Sequence, residues 1–344
     1  MATTNLDSAD LKGVLRGGLI REDVMDKIFD ISRIPLPFTD MIGSGSHKNE
    51  YCEWTTDELA QPDLTNAVID GDDATGNDTA TGARVGNHSQ ISDKVVRVSY
   101  RADASDTIGR AKELAYQLMR RQQELRRDVE AIVLENQGSV ADDGNATAGQ
   151  VGGLPTWLET TVVNGTAGGY NTGTGLTDPW TSSGAPVALS ESDIRDGVQS
   201  IYQQGGDATK LMSVPSVIRL ISEYLFTSSA RIATLMADQG KSSSAATALG
   251  AVNVFVTDFG TLTMVPNRLQ QLQEAAAPGD SAFVFMIDPE YASMSYLQGY
   301  RTDTLAKTGL AENRQMSVDY SLKVHTEKAH GMIGDVSLTE PMVP

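Results

Sequence analysis

The sequence predicts an α+β fold: a long amphipathic helix laid across long antiparallel strands, with an α/β unit inserted between them. Three observations predict it. Residues 104–136 place apolar side chains every three or four positions, residues 293–335 alternate them, and residues 188–292 interleave helical with strand periodicity. A chain of 344 residues with 40% hydrophobic side chains is long enough to bury a real core, in one elaborate domain or two ordinary ones. Its formal net charge of -18 argues against a general grip on nucleic acid or an anionic membrane, because phosphate binding needs a basic face. A single cysteine, Cys52, excludes an intramolecular disulfide framework and a cysteine-rich zinc module. The opening MATTNLDSADLKGVL lacks the basic start and apolar run of a secretory signal. No stretch approaches the roughly 18 consecutive apolar residues of a membrane helix, so a chain made and used in solution is expected. The sequons at Asn77, Asn87, Asn145 and Asn164 are accordingly read as products of composition.

Residues 1–46 read as an arm. Ile20, Val24, Ile28 and Ile31 make one short apolar helical stripe, which the prolines of IPLPF stop. EYCEWT at 50–55 and VVRVSY at 95–100 alternate like the two strands of a long hairpin. Between them, residues 55–83 carry the acids Asp57, Glu58, Asp63, Asp70, Asp72, Asp73 and Asp78 and neither lysine nor arginine. A two-stranded ribbon is marginal alone in water, so this one is expected to lie on something else, most economically a neighbouring subunit. In ASDTIGRAKELAYQLMRRQQELRRDVEAIVLEN the stripe Ile108, Ala111, Ala115, Leu118, Gln122, Leu125, Val129 and Ile132 predicts one rod over 104–136. That rod would be about 50 Å long, capped by Asp103 or Ser105 and ended at Gly138.

Residues 137–187 hold much of the glycine and a single apolar island, VGGLPTWLETTVV, which predicts an excursion or linker and not core. Ser190 and Asp193 then form a capping box for a helix that turns Ile194, Val198, Ile201 and Tyr202 inward. KLMSV is a strand, and Pro215 opens a second helix with Val217, Leu220, Ile221 and Tyr224 inward. After the loop GKSSSAATALG, the segments VNVFV, TLTMV and FVFMI read as three buried strands. The closing strands turn near Lys307 to Glu312 and need the amphipathic rod to cover them.

The rod gathers Arg120, Arg121, Arg126 and Arg127 in the stretch LMRRQQELRRDVE. Its bases and acids are equal in number, so the whole excess of 45 acids over 27 bases lies outside it. Arg120 with Glu124, Arg126 with Glu130, and Asp106 with Arg110 sit four apart, each pair worth roughly a few tenths of a kcal/mol. The row reads either as a self-paired, solvated face or as a docking face for acidic segments of neighbouring copies. Interleaved acid argues against phosphate binding.

Motifs of catalysis are missing. GKSSS at 240–244 has Leu235 where a phosphate-binding loop needs glycine, and Gly279-Asp280-Ser281 is an isolated turn. A calcium loop starting at Asp70 would need glycine and glutamate where Thr75 and Thr81 stand. His325 and His330, five apart on a predicted strand, point to opposite faces and share no metal. His47 and Cys52 read as a loop imidazole and a strand thiol. Neither enzymatic activity nor a cofactor is expected.

The order of arm, acidic hairpin, exceptional helix, Gly-rich excursion, α/β insertion and closing strands resembles the major capsid proteins of tailed phages with the Hong Kong 97-type fold. The resemblance spans nearly the whole chain. It is carried by RVSYRADASDTIGRAKELAYQLMRRQQELRRDVEAIVLEN, GGLPTWLET, VPSVIRLISEYL, VFMIDPEYASMSYLQGYRTDTLAKTGLAENRQMSVDYSL and HTEKAHGMI. It implies an N-terminal arm (1–46), an extended loop (47–102), the spine helix of a peripheral domain (103–136) and a Gly-rich excursion of that domain (137–187). An α/β axial domain (188–292) and a return to the peripheral domain (293–344) complete it.

Implied partners are further copies of the chain, as hexamers and pentamers of an icosahedral lattice, with portal, scaffold or decoration proteins. Packaged double-stranded DNA would lie inside without specific binding, and no membrane is involved. Host cytoplasm during assembly and the virion afterwards are the implied locations. The candidate inter-subunit contacts are Arg120, Arg121, Arg126 and Arg127 on the rod, and Trp54, Asp57, Glu58, Asp63, Asp70, Asp72 and Asp73 on the loop. The family's namesake cross-links through a loop lysine; residues 55–83 have none, leaving only Lys48 and Lys94 near the base, so non-covalent assembly is expected. No long helical leader precedes residue 20, which assigns assembly guidance to another chain or to the arm. Two rivals stand beside this reading: an encapsulin-like shell around protein cargo, and a secreted carbohydrate-binding adhesin or hydrolase using Trp54, Trp157 and Trp180.

Overall fold

The computed structural model describes residues 25, 27–31 and 35–344, apart from 61, 72, 74–75, 77–80, 228–253, 274–275, 278 and 308. Ile20, Val24, Asp72, Asp78 and the loop GKSSSAATALG therefore lie outside the described residues. Ile28 and Ile31 lie in non-helical chain, contrary to the expected stripe. Among the described residues the first helix is the single turn Pro37–Met41 (α1), where proline's missing N–H has no helical partner to lose.

Four strands follow: Gly43–Ser46 (β1), Tyr51–Thr56 (β2), Ala83–His88 (β3) and Gln90–Ser99 (β4). The hairpin is β2 with β3, Trp54 opposite Val85 and Cys52 opposite Asn87. VVRVSY is not its second strand. Residues 95–99 of it belong to β4, whose ten residues alternate cleanly, whereas ARVGNH offers one large apolar side chain and so gives no period-two signal. Its Gly86 is required by space, because a Cβ there would lie 2.6 Å from the Tyr51 ring.

The predicted rod is two helices, Tyr100–Ala104 (α2) and Glu113–Val133 (α3). At 1.5 Å per residue α3 is about 32 Å long, not 50. Ser99 caps α2 by accepting the Ala102 N–H. Residues 105–112 then turn, with Gly109 at φ +68° and Thr107 bridged to Arg110. Asp103 does act as a cap, but of the second helix, by accepting the Leu114 N–H at 3.1 Å. Helix α3 ends at Val133, with Leu134 as its C-cap, five residues before Gly138.

The Gly-rich excursion holds three short strands, Val162–Val163 (β5), Gly169–Asn171 (β6) and Leu176–Asp178 (β7). It is core, contrary to expectation. Val151, Leu154, Trp157, Leu158 and Trp180 are all buried with Leu125, Val129 and Val133 of α3. Glycine makes this close approach possible: a Cβ on Gly153 would sit 2.0 Å from the Glu135 carbonyl oxygen.

The remaining elements are Glu191–Gln204 (α4), Lys210–Ser213 (β8), Pro215–Thr227 (α5), Val254–Thr257 (β9), Gly260–Pro266 (β10), Ser281–Ile287 (β11), Ala292–Thr304 (β12), Ala311–Val324 (β13) and Gly331–Ser337 (β14). Helix α4 starts with the expected capping box of Ser190 and Asp193, and its end carries Gly205 in the left-handed conformation. Tyr202 does not turn inward as expected; it stays exposed, its ring 5.2 Å from that of Phe259. Strand β9 buries only one face, leaving Val254 and Val256 exposed.

Two sheets organise the molecule. One has the order β1-β12-β13-β4, with β1 parallel to β12 and the rest antiparallel; α3 covers β4 and β13. The other has the order β5-β14-β11-β8-β10-β9. Its central strand β11 is buried on both faces: Val284 and Met286 meet Ile194, Val198 and Ile201 of α4, while Phe283, Phe285 and Ile287 meet the core beneath α3. The long antiparallel pair therefore stops at Val324, and residues 331–337 return to the second sheet beside β11.

Candidate inter-subunit surfaces

The hairpin projects from the body, and every described residue from 57 to 81 is exposed. Its root is not. Trp54 is half-buried with its ring 5.2 Å from Trp157, and Cys52 is buried beside it. Farther out, Asp57 accepts the Glu58 N–H at 2.9 Å, and Glu58 pairs with Lys328 at 2.6 Å. Asp63 accepts both the N–H and the hydroxyl of Thr65, which hold its carboxyl below the usual range. Asp70 and Asp73 are exposed.

The four arginines of α3 take four different surroundings. Arg120 pairs with Asp30 of the arm, and Arg121 with Glu124 at 2.5 Å. Arg126 lies over the Tyr300 ring, 5.4 Å from its centroid. The expected partner Glu130 is instead buried and accepts the Phe38 and Thr39 N–H groups. The expected pairs of Arg120 with Glu124 and Asp106 with Arg110 are likewise replaced, the latter because Arg110 holds Glu113 at 2.8 Å across the turn. Arg127 is exposed and lines a groove of about 650 Å³ with Lys94, Asp128, Arg268 and Leu272. Among the described residues, no loop acid meets these arginines within one chain.

The charge pattern left unread the side chains most open to a partner. Leu59, Leu64, Val68 and Ile69 on the loop are 99%, 96%, 88% and 77% exposed, and Phe29 and Ile31 on the arm 76% and 94%. The signal was present in DELAQPDLTNAVID, where apolar residues interleave with acids too irregularly for a helix or strand. His325 and His330 also differ from expectation: a turn at Glu327–Ala329 separates them, so they share no strand. His47 Nδ1 and the Ser295 hydroxyl share a hydrogen bond of 2.9 Å.

The sequence model of the SU10 major capsid protein family matches residues 2–337. The chain belongs to this family. It is 30% identical over 215 residues to the major capsid protein of Escherichia phage Phieco32, covering 54% of this chain and 61% of that one. It thus spans about three-fifths of that relative's length. Solved structures share the fold at low identity. The capsid protein of cyanophage P-SCSP1u superposes with a TM-score of 0.56 at 12% identity, over 96% of this chain and 99% of that one. An encapsulin of Synechococcus elongatus PCC 7942 gives 0.54 at 11% identity, over 98% of both. The fold is therefore the Hong Kong 97-like capsid fold. Family membership sets aside the adhesin or hydrolase reading.

Proposed function

We propose that copies of this chain assemble as hexamers and pentamers into the icosahedral head of a tailed phage, enclosing double-stranded DNA without specific contact. Family membership over residues 2–337 carries the reading. The exposed limbs supply its physics. Burying Leu59, Leu64, Val68 and Ile69 against neighbours gains on the order of 6 kcal/mol per loop before ordering costs, so assembly and stability become one equilibrium.

Loop acids Asp57, Asp63, Asp70, Asp72 and Asp73 meet bases of adjoining copies in this reading, with exposed Arg126 and Arg127 among them. Trp54 and Glu58 instead serve within the chain, against Trp157 and Lys328. Joints are non-covalent, because residues 55–83 lack lysine and Lys94 is held by Asp128 at 2.6 Å. Acid outside α3 keeps packaged DNA from sticking. Portal, scaffold or decoration proteins complete the particle, which forms in host cytoplasm; no catalytic role is part of the reading.

Negative-stain microscopy of the expressed protein tests it: closed shells are expected, and a monodisperse monomer at every concentration contradicts it. The encapsulin likeness favours a second reading, a shell around protein cargo. Particles recovered from infected cells with protein cargo and no nucleic acid would select it.

A further inference from the structure

The hairpin is built in two mechanically different pieces. At the root, Trp54 packs on Trp157, and the Trp157 ring stacks on Tyr170 at 5.6 Å and 6°. The Tyr51 hydroxyl donates to the Gly175 carbonyl at 2.9 Å and receives the Tyr170 hydroxyl at 2.8 Å. On the other strand, buried Asn87 donates to the carbonyls of Gly152 and Leu322 at 3.1 and 2.9 Å and accepts the Gly152 N–H at 2.9 Å. Four of these contact residues, Gly152, Trp157, Tyr170 and Gly175, come from the Gly-rich excursion.

Beyond Thr56 the character changes. The described tie from the limb to the body is the exposed Glu58–Lys328 pair, and exposed pairs hold little. Beneath it lies a cleft of about 460 Å³, with Thr55 to Leu59 on one wall and Gly205, Tyr291, His325 and Lys328 on the other.

We propose that residues 137–187 are a clasp for the root of the hairpin, with Trp157 and Tyr170 as positioning residues. The limb therefore turns at Thr56 to Leu59 and not where the hairpin joins the body. The clasp sets the direction in which the limb leaves the subunit, whatever partner the limb meets.

Amide hydrogen exchange of the isolated, unassembled subunit tests this. In the wild type, protection at 51–56 and 83–88 is expected to exceed that at 62–70 by at least tenfold, with the step between Thr56 and Leu59. Tyr170→Ala should lower protection about tenfold at 51–56 and 83–88 while leaving 292–304 and 311–324 unchanged. Tyr170→Phe keeps the ring stack and should have a smaller effect at the same places. The fluorescence of Trp54 and Trp157 should shift to the red in the alanine variant only.

A wild-type step at 47–50, unchanged protection at 51–56 in Tyr170→Ala, or a loss spread equally over 292–324 would overturn the proposal. Failure of the wild type to form shells while the step at Thr56 persists would sink the assembly reading and leave the clasp standing.

Discussion

Glu130 accepts the Phe38 and Thr39 N–H groups at 2.8 Å and the Asn267 amide at 2.9 Å, with none of its surface exposed. Burial pushes its carboxyl above the usual range while these donors pull it back. Glu130→Ala leaves three donors unanswered in the core, and a loss of about 3 kcal/mol or more in urea unfolding of the subunit is expected. Helical spacing offered Arg126 as the partner, but position 130 lies beside Val129 and Val133 on the buried side, and its donors stand 92 and 91 residues earlier and 137 later. A local pattern names a face; it does not name a partner brought by the fold.

Burial also lowers His330 to about 4. The folded chain then binds fewer protons than the unfolded one between about 4 and 6.5, so stability is complete above 6.5 and falls as pH drops through that window. The loss is at most about 3 kcal/mol. Burial lowers His47, His88 and His325 too, with the same sign, and raises Glu130, Asp193 and Asp319, with the opposite sign. Melting temperatures of the subunit between pH 7.5 and 5 should therefore decline, and His330→Gln should flatten the slope.

Elements with strong local codes were legible at once. The Ser190–Asp193 capping box, Pro215 at a helix start and the alternation of β12 and β13 each fix a structure from neighbouring residues alone. The turn at 105–112 was not, because Ile108 continues the apolar stripe yet is 53% exposed. The excursion failed for a different reason. Glycine content signals flexibility only where glycines face solvent, and here several stand where backbones touch. Gly153→Ala forces its Cβ against the Glu135 carbonyl and should cost about 2–3 kcal/mol in urea unfolding of the subunit. A linker would tolerate the change.

Across the whole molecule the acidic balance opposes crowding of copies, since a net charge of -18 repels itself. Screening should lower the concentration at which shells form as ionic strength rises from about 0.05 to 0.3 M, read by light scattering. Charge could be counted from sequence, which is why the acids and arginines were found and the apolar tip was not; exposure is a property of the folded body. The central claim is that this tip drives assembly. Sedimentation velocity over a concentration series, comparing the wild type with the triple variant Leu64→Asp, Val68→Asp, Ile69→Asp, tests it most directly. The account predicts a variant that melts like the wild-type subunit yet stays unassembled at ten times the wild-type threshold; assembly of both at the same concentration would contradict it.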